Sequence, residues 1–218
     1  EDTITDMIRC ASESGLSLFG ISDHGPATSS SAKPSYFQSL KLADRDRFGI
    51  RVLYGAELNI INTAADVDLD DDTLSTLDYA IISIHPPIFK PYHDKDLSSA
   101  YIRAMDHPKV RFLGHIDDAR FPVDFEYLLE IAKEKHVYPE INNGSLMPDA
   151  YRINGQENCR RILSICKKLD LPVLLSSDSH GKKNIGNMQY IFPLLEELDF
   201  PAHLVLNSDL SALSDIIR

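Results

Sequence analysis

Six short apolar runs are spaced along this chain of 218 residues, and each stops at a cluster of polar residues. Residues 16–21 run into Ser22-Asp23-His24-Gly25, and residues 51–54 into Gly55-Ala56-Glu57. Residues 79–84 run into His85-Pro86, 110–113 into Gly114-His115, 136–141 into Asn142-Asn143, and 172–175 into Ser176-Ser177-Asp178-Ser179-His180. Runs of this length, bounded by turn residues, read as buried strands. Between them the apolar residues take helical spacing: Leu97, Ala100, Tyr101, Ala104 and Met105, then Phe125, Leu128, Leu129 and Ala132. Cys159, Ile162, Leu163 and Cys166 repeat the pattern, as do Ile191, Leu194, Leu195 and Leu198. Strand alternating with helix predicts βα units and a largely parallel sheet. No linker or repeat interrupts the series, so one α/β domain over residues 1–218 is expected.

The chain starts at Glu1 and enters a helix at once. Thr3-Ile4-Thr5-Asp6 resembles a capping box, and Ile4, Met7, Ile8 and Ala11 share one face. A helix with no strand before it predicts that an N-terminal piece is absent from this sequence. The formal net charge is −11, from 33 acids against 22 bases. That field repels phosphate, so neither nucleic acid nor an anionic membrane is an expected partner. A small anionic substrate would need local positive charge, from metal ions or a few Lys and Arg. The longest apolar stretches fall far short of a membrane span. Three cysteines without a CxxC pair, and no signal segment, suit a reducing cytoplasm; Cys159 and Cys166 read as core thiols. The acidic run 66–72 reads as a solvated face, since it lacks the Gly and terminal Glu of an EF-hand loop.

In a parallel βα architecture the strand ends converge on one face, where sites are built. The polar residues there are His24, Glu57, His85, His115, Asp178 and His180, so four of the eight histidines stand just beyond an apolar run. Imidazoles and carboxylates packed together need compensating charge, and divalent metal supplies it. Nitrogen and carboxylate ligands without Cys suit zinc, manganese or iron better than magnesium or calcium. A carboxylate such as Glu57 can bridge two metals, and such a pair activates water and holds a phosphoryl oxygen. The serines beside these residues form no Gly-x-Ser-x-Gly elbow, which argues against a serine nucleophile.

Taken in order, Ile21-Ser22-Asp23-His24-Gly25, Gly55-Ala56-Glu57, His85, Gly114-His115, Glu140-Ile141-Asn142-Asn143 and Ser177-Asp178-Ser179-His180 resemble successive motifs of the PHP superfamily, named for polymerase and histidinol phosphatase. The resemblance covers nearly the whole chain and is strongest to the stand-alone phosphatases. It implies a distorted seven-stranded (β/α) barrel with up to three metal ions, zinc above all, that hydrolyses phosphate monoesters of a small metabolite by metal-activated hydroxide. Carried over by position, Glu57, His85 and His115 would hold one metal. Glu57 would bridge to a second, bound by Asp178, and His24 with His180 would serve the third. Glu57 and Asp178 would thus carry the catalysis.

The superfamily's first motif, a His-x-His ending the first strand, is absent here, and six strand runs leave the barrel one short. Either the first strand is missing from this sequence or the site is degenerate. Asn142 and Asn143 would orient ligands, contact substrate or simply form a turn. His93, in the loop 86–95, would bind phosphate or sit in solvent; Lys182 and Lys183 face the same choice. Two other functions remain open on the same fold: a polymerase-associated 3′–5′ exonuclease and a non-catalytic scaffold. Substrate and oligomeric state have no signature in the sequence.

Overall fold

The computed structural model describes residues 2–29, 31–86, 88–89 and 95–217. Helix α1 (Ile4–Glu13) opens with the expected capping box. The Thr3 side chain accepts from the Asp6 N–H, and the Asp6 carboxylate accepts from the Thr3 N–H. The chain then alternates: β1 (Leu18–His24), α2 (Pro34–Ser39), β2 (Asp46–Arg47), β3 (Ile50–Asn59), α3 (Asp71–Ser75), β4 (Tyr79–Ser83), α4 (Ser98–Ala104) and β5 (Val110–Leu113). It continues through α5 (Phe125–Glu134), β6 (Tyr138–Asn142), α6 (Gly155–Leu169), β7 (Leu174–Ser176), α7 (Ile191–Glu197) and α8 (Leu210–Ile217).

All six apolar runs form strands in their expected places. They pair in the order β1-β3-β4-β5-β6-β7, and every one of these pairings is parallel. The short β2 is an addition: it folds back antiparallel on the start of β3, Asp46 against Arg51 and Arg47 against Ile50. Two polar residues have no periodicity to announce them. The sheet is a curled, half-barrel form of the α/β fold expected from the sequence. Among the described residues β1 and β7 each pair with a single strand, so the curl is open between them.

The main core lies between the strands and the helices. Val52, Tyr54, Ala56 and Leu58 of β3 belong to it, with Ile8, Tyr101, Leu128 and Ile162 from the helices. Cys159 and Cys166 are buried in the same layer as free thiols, as expected. A second apolar cluster joins Leu53, Tyr79, Ile81 and Phe112 to Leu206, Leu213 and Ile217, so α8 packs on the strand residues that alternate away from the main core. The Arg111 guanidinium fixes the end of α8 by donating to the Ile216 carbonyl at 2.7 Å. None of the helices among the described residues is long and apolar enough to cross a membrane.

Strand approach depends on Gly55, where a Cβ would stand 2.7 Å from the Tyr79 carbonyl oxygen and 2.8 Å from its ring. Gly55→Ala must therefore push β3 from β4, and overpacking of this kind costs about 1–3 kcal/mol. Thermal unfolding is expected to show the loss as a Tm lowered by several degrees.

Candidate metal centre

Side chains alternate across a strand, so a single face of the sheet can be followed from strand start to strand end. Toward the interior the starts are apolar, with Leu18, Leu53, Tyr79, Phe112 and Leu174 packed together. Farther along the same alternation come His24 on β1, Glu57 and Asn59 on β3, Ser83 on β4, Glu140 and Asn142 on β6, and Ser176 on β7. Register keeps these ends level: His24 pairs with Glu57, and Asn59 with Ser83. A cavity of about 440 Å³ runs from Leu53 and Phe112 up to His24, Glu57, His115, Asp178 and His180.

Glu57 is the centre of the polar end, and it is 6% exposed. Its Oε2 lies 3.0 Å from His24 Nδ1, and its Oε1 lies 3.3 Å from His85 Nε2 and 2.9 Å from His115 Nε2. Glu57 Oε1, His24 Nδ1 and His85 Nε2 are buried and have no hydrogen-bond partner among the described residues. Close approach without hydrogen bonds leaves lone pairs facing one another, an arrangement that a cation between them resolves. The ligand atoms of His24, Glu57 and His85 lie within 4.8 Å of one another. Orphaned atoms and donor chemistry together fit a divalent metal of the zinc, manganese or iron type.

Electrostatics agree with the geometry. Burial opposes charge on Glu57, yet His115 and His85 hold its carboxyl well below the ordinary range. Burial also opposes charge on His115, and the Glu57 carboxylate overrides it, lifting the ring to about 9. A field that retains a proton there attracts a metal cation equally. Burial lowers His24, which favours the neutral imidazole that ligates metal.

Asp178 and His180 arrive from the turn after β7. Asp178 Oδ2 is 4.0 Å from His115 Nε2, and His180 Nε2 is 3.4 Å from Asp178 Oδ1. Against burial, His180, His115 and Arg152 hold Asp178 below the ordinary carboxylate range. The His24 and His180 rings are 5.7 Å apart. All six side chains expected from the sequence thus gather at one end of the sheet. His115 and Asp178 both take left-handed backbone, with φ of 55° and 46°, which turns the chain sharply where each strand ends.

Asn142 is fully buried; its amide donates to Asp178 Oδ2 at 2.9 Å and accepts from the Gly144 N–H at 2.8 Å. It holds a carboxylate and forms a turn at once. Asn143 accepts from the Tyr190 N–H at 3.0 Å. Asp23 accepts from the Tyr36 hydroxyl, and Lys182 pairs with Asp2 at 2.9 Å. His93 lies outside the described residues. Arg152 has no role in the sequence reading, yet its Nη2 stands 2.8 Å from His115 Nε2 and 3.1 Å from Asp178 Oδ2. A lone Arg in a loop has no periodic signal.

The acidic run corrects a further expectation. Asp66, Asp70, Asp71 and Asp72 are exposed, but Asp68 turns inward instead of joining a solvated face. Its carboxylate accepts from the Ala27 N–H, the Asn59 N–H and the Asn59 side-chain amide at 3.0, 2.9 and 2.6 Å. Asn59 in turn presents Oδ1 to His85 Nδ1 at 2.7 Å. Asn59 stands two residues beyond Glu57, so strand alternation was the available signal for it.

A family model for the PHP domain matches residues 1–144. The chain is 35% identical over 207 residues to a probable phosphatase of Clostridium acetobutylicum, covering 95% of this chain and 84% of that one. It is 34% identical over 217 residues to a probable phosphatase of Caldicellulosiruptor saccharolyticus, covering 100% and 90%. Among solved structures it is similar to histidinol phosphate phosphatase of Lactococcus lactis complexed with zinc, L-histidinol and phosphate. That TM-score is 0.62 at 18% identity, covering 92% of this chain and 89% of that one. It is also similar to a chain in archaeal ribonuclease P with mature tRNA, with a TM-score of 0.64 at 17% identity, covering 100% and 87%. At such identities the structural likeness is one of fold.

Asp68→Ala would strand two backbone N–H groups and one N–H of the Asn59 amide, and a buried donor left unpaired costs about 1–3 kcal/mol. Urea unfolding is expected to show a lower midpoint with an unchanged m-value, as befits a loss of stability alone.

Proposed function

The chain belongs to the PHP family, and from that premise we propose that it is a phosphatase hydrolysing phosphate monoesters of a small metabolite, with a cluster of divalent cations as cofactor. The observation that carries this reading is the buried carboxylate of Glu57, both of whose oxygens face imidazole nitrogens, with Glu57 Oε1, His24 Nδ1 and His85 Nε2 left without a hydrogen-bond partner among the described residues. The probable phosphatases to which the chain is similar over nearly its full length support the activity. The zinc, L-histidinol and phosphate of the Lactococcus lactis structure support zinc and a small phosphorylated substrate. Manganese or iron would suit the same donors.

Bound divalent cations supply charge neutralisation at the phosphoryl oxygens and activation of the attacking water. Glu57, His85 and His115 would hold one ion, with Glu57 reaching a second beside Asp178, and His24 with His180 would hold a third. Asn142 keeps Asp178 in place through its amide. Arg152, beside Asp178 and His115, offers a rigid fork of donors that suits a phosphoryl oxygen. The inner apolar cluster that lines the cavity below Glu57 lowers the local dielectric, so charge interactions at the site are stronger than in solvent.

The protein is expected to release phosphate from p-nitrophenyl phosphate, to lose this activity to a chelator and to regain it with zinc or manganese. A metal-loaded protein that releases nothing from a broad panel of phosphomonoesters would overturn the reading. Glu57→Gln is expected to lower kcat/KM by at least about a hundredfold, or ~2.7 kcal/mol, while the metal-free protein still folds, as circular dichroism would show. Arg152→Lys, which keeps the charge but loses the fork, is expected to raise KM about tenfold in the same assay.

A further inference from the structure

His85 and His115 approach Glu57 with the same ring atom, Nε2. A neutral imidazole carries one proton, and the partner of the other nitrogen decides where it sits. Behind His85 stands Asn59, whose orientation is fixed. Its amide nitrogen donates to Asp68 Oδ2 at 2.6 Å and to Thr28 Oγ1 at 3.1 Å, leaving Oδ1 to face His85 Nδ1 at 2.7 Å. An amide oxygen only accepts, so Nδ1 of His85 carries the proton and Nε2 a lone pair.

Behind His115 stands Glu140, also on the inner alternation of its strand and 6% exposed. One oxygen, Oε1, accepts from the Ser176 hydroxyl at 2.6 Å. The other, Oε2, lies 3.5 Å from His115 Nδ1, and both of these atoms are buried without a hydrogen-bond partner. On the far side of the ring Arg152 Nη2 stands 2.8 Å from Nε2, and a guanidinium only donates. In the neutral ring Nε2 accepts from Arg152, although Glu57 Oε1 stands 2.9 Å from the same atom, and the single proton belongs on Nδ1, toward Glu140.

We infer that Asn59 and Glu140 are positioning residues, which lock His85 and His115 as Nδ1–H tautomers so that both rings turn an Nε2 lone pair on the point beside Glu57 Oε1. The inference rests on the metal-dependent reading of the site and adds to it the groups that prepare the ligands before metal arrives. Histidine ligands braced from behind in this way are better donors, and loss of such a brace costs roughly 10–100-fold in metal affinity. Glu140→Gln keeps size and shape. With the Ser176 hydroxyl still donating to its oxygen, its amide nitrogen faces His115 Nδ1 and favours the opposite tautomer.

The test uses the whole chain, metal-free, with long-range ¹H–¹⁵N spectra of its histidine rings recorded above about pH 9, where the His115 ring has lost its second proton, and zinc affinity measured against a chromophoric chelator. The spectra are expected to show Nδ1–H for His85 and His115, and Glu140→Gln to shift His115 toward Nε2–H. Zinc affinity of that variant is expected to fall about 10–100-fold while the metal-free Tm stays within a few degrees. A merely structural role would move the Tm and leave the tautomer alone. If Glu140→Gln does not fold, Ser176→Ala frees the Glu140 carboxylate and is expected to weaken zinc several-fold. Nε2–H rings in the unaltered protein, or unchanged zinc affinity in the variants, would overturn the inference. Tautomers and zinc affinity as expected without phosphate release would instead overturn the phosphatase reading and leave this inference standing.

Discussion

A carboxylate withdrawn from water must meet positive charge or surrender its own. Glu57 meets that demand at the end of β3, where three imidazoles surround two oxygens, and much of the architecture follows from keeping those groups together. Parallel pairing brings His24 level with Glu57. The close approach allowed at Gly55 brings β4 against β3, so that His85, just beyond β4, reaches the same oxygen as His115. A slip of one residue in β3 would turn Glu57 into the layer beneath the helices and an apolar neighbour into the cavity. Register, in this protein, is a statement about charge.

The inner face also carries a gradient. It begins among Leu53, Tyr79 and Phe112 and ends among carboxylates, amides and imidazoles. Apolar packing at one end lowers the local dielectric, which strengthens paired charges and penalises unpaired ones. That is why so many polar atoms near the site have assigned partners: Asp68 for Asn59, Asn142 for Asp178, Ser176 for Glu140. Atoms still without partners, such as Glu57 Oε1 and His85 Nε2, stand where positive charge belongs.

Much of this was legible in the sequence because strand ends are punctuated. An apolar run that stops at His24, Glu57, His85, His115 or Asp178 announces both the strand and the face on which its end emerges, and the structure gathers those residues together. The residues behind them were less visible. Asn59 sits two places from Glu57, so alternation alone pointed to it, and a neutral amide gives no reason to look; Glu140 stands within the Glu140-Ile141-Asn142-Asn143 motif, which gives it no role of its own. Asp68 is hidden in a run of acids whose other members are solvated. Arg152 comes from a loop without periodicity, and β2 is too short and polar to register as a strand. Local pattern reports elements, whereas these residues matter through contacts with distant parts of the chain.

The left-handed turns at His115 and Asp178 set the protein's durability against its chemistry. Backbone of that shape is where glycine rests most easily and where other residues carry strain. Drift toward glycine at either turn would ease the fold while stripping away a side chain that faces the cavity. Selection for heat resistance alone would therefore tend to disarm the molecule, and lineages that keep these two residues must be held there by use.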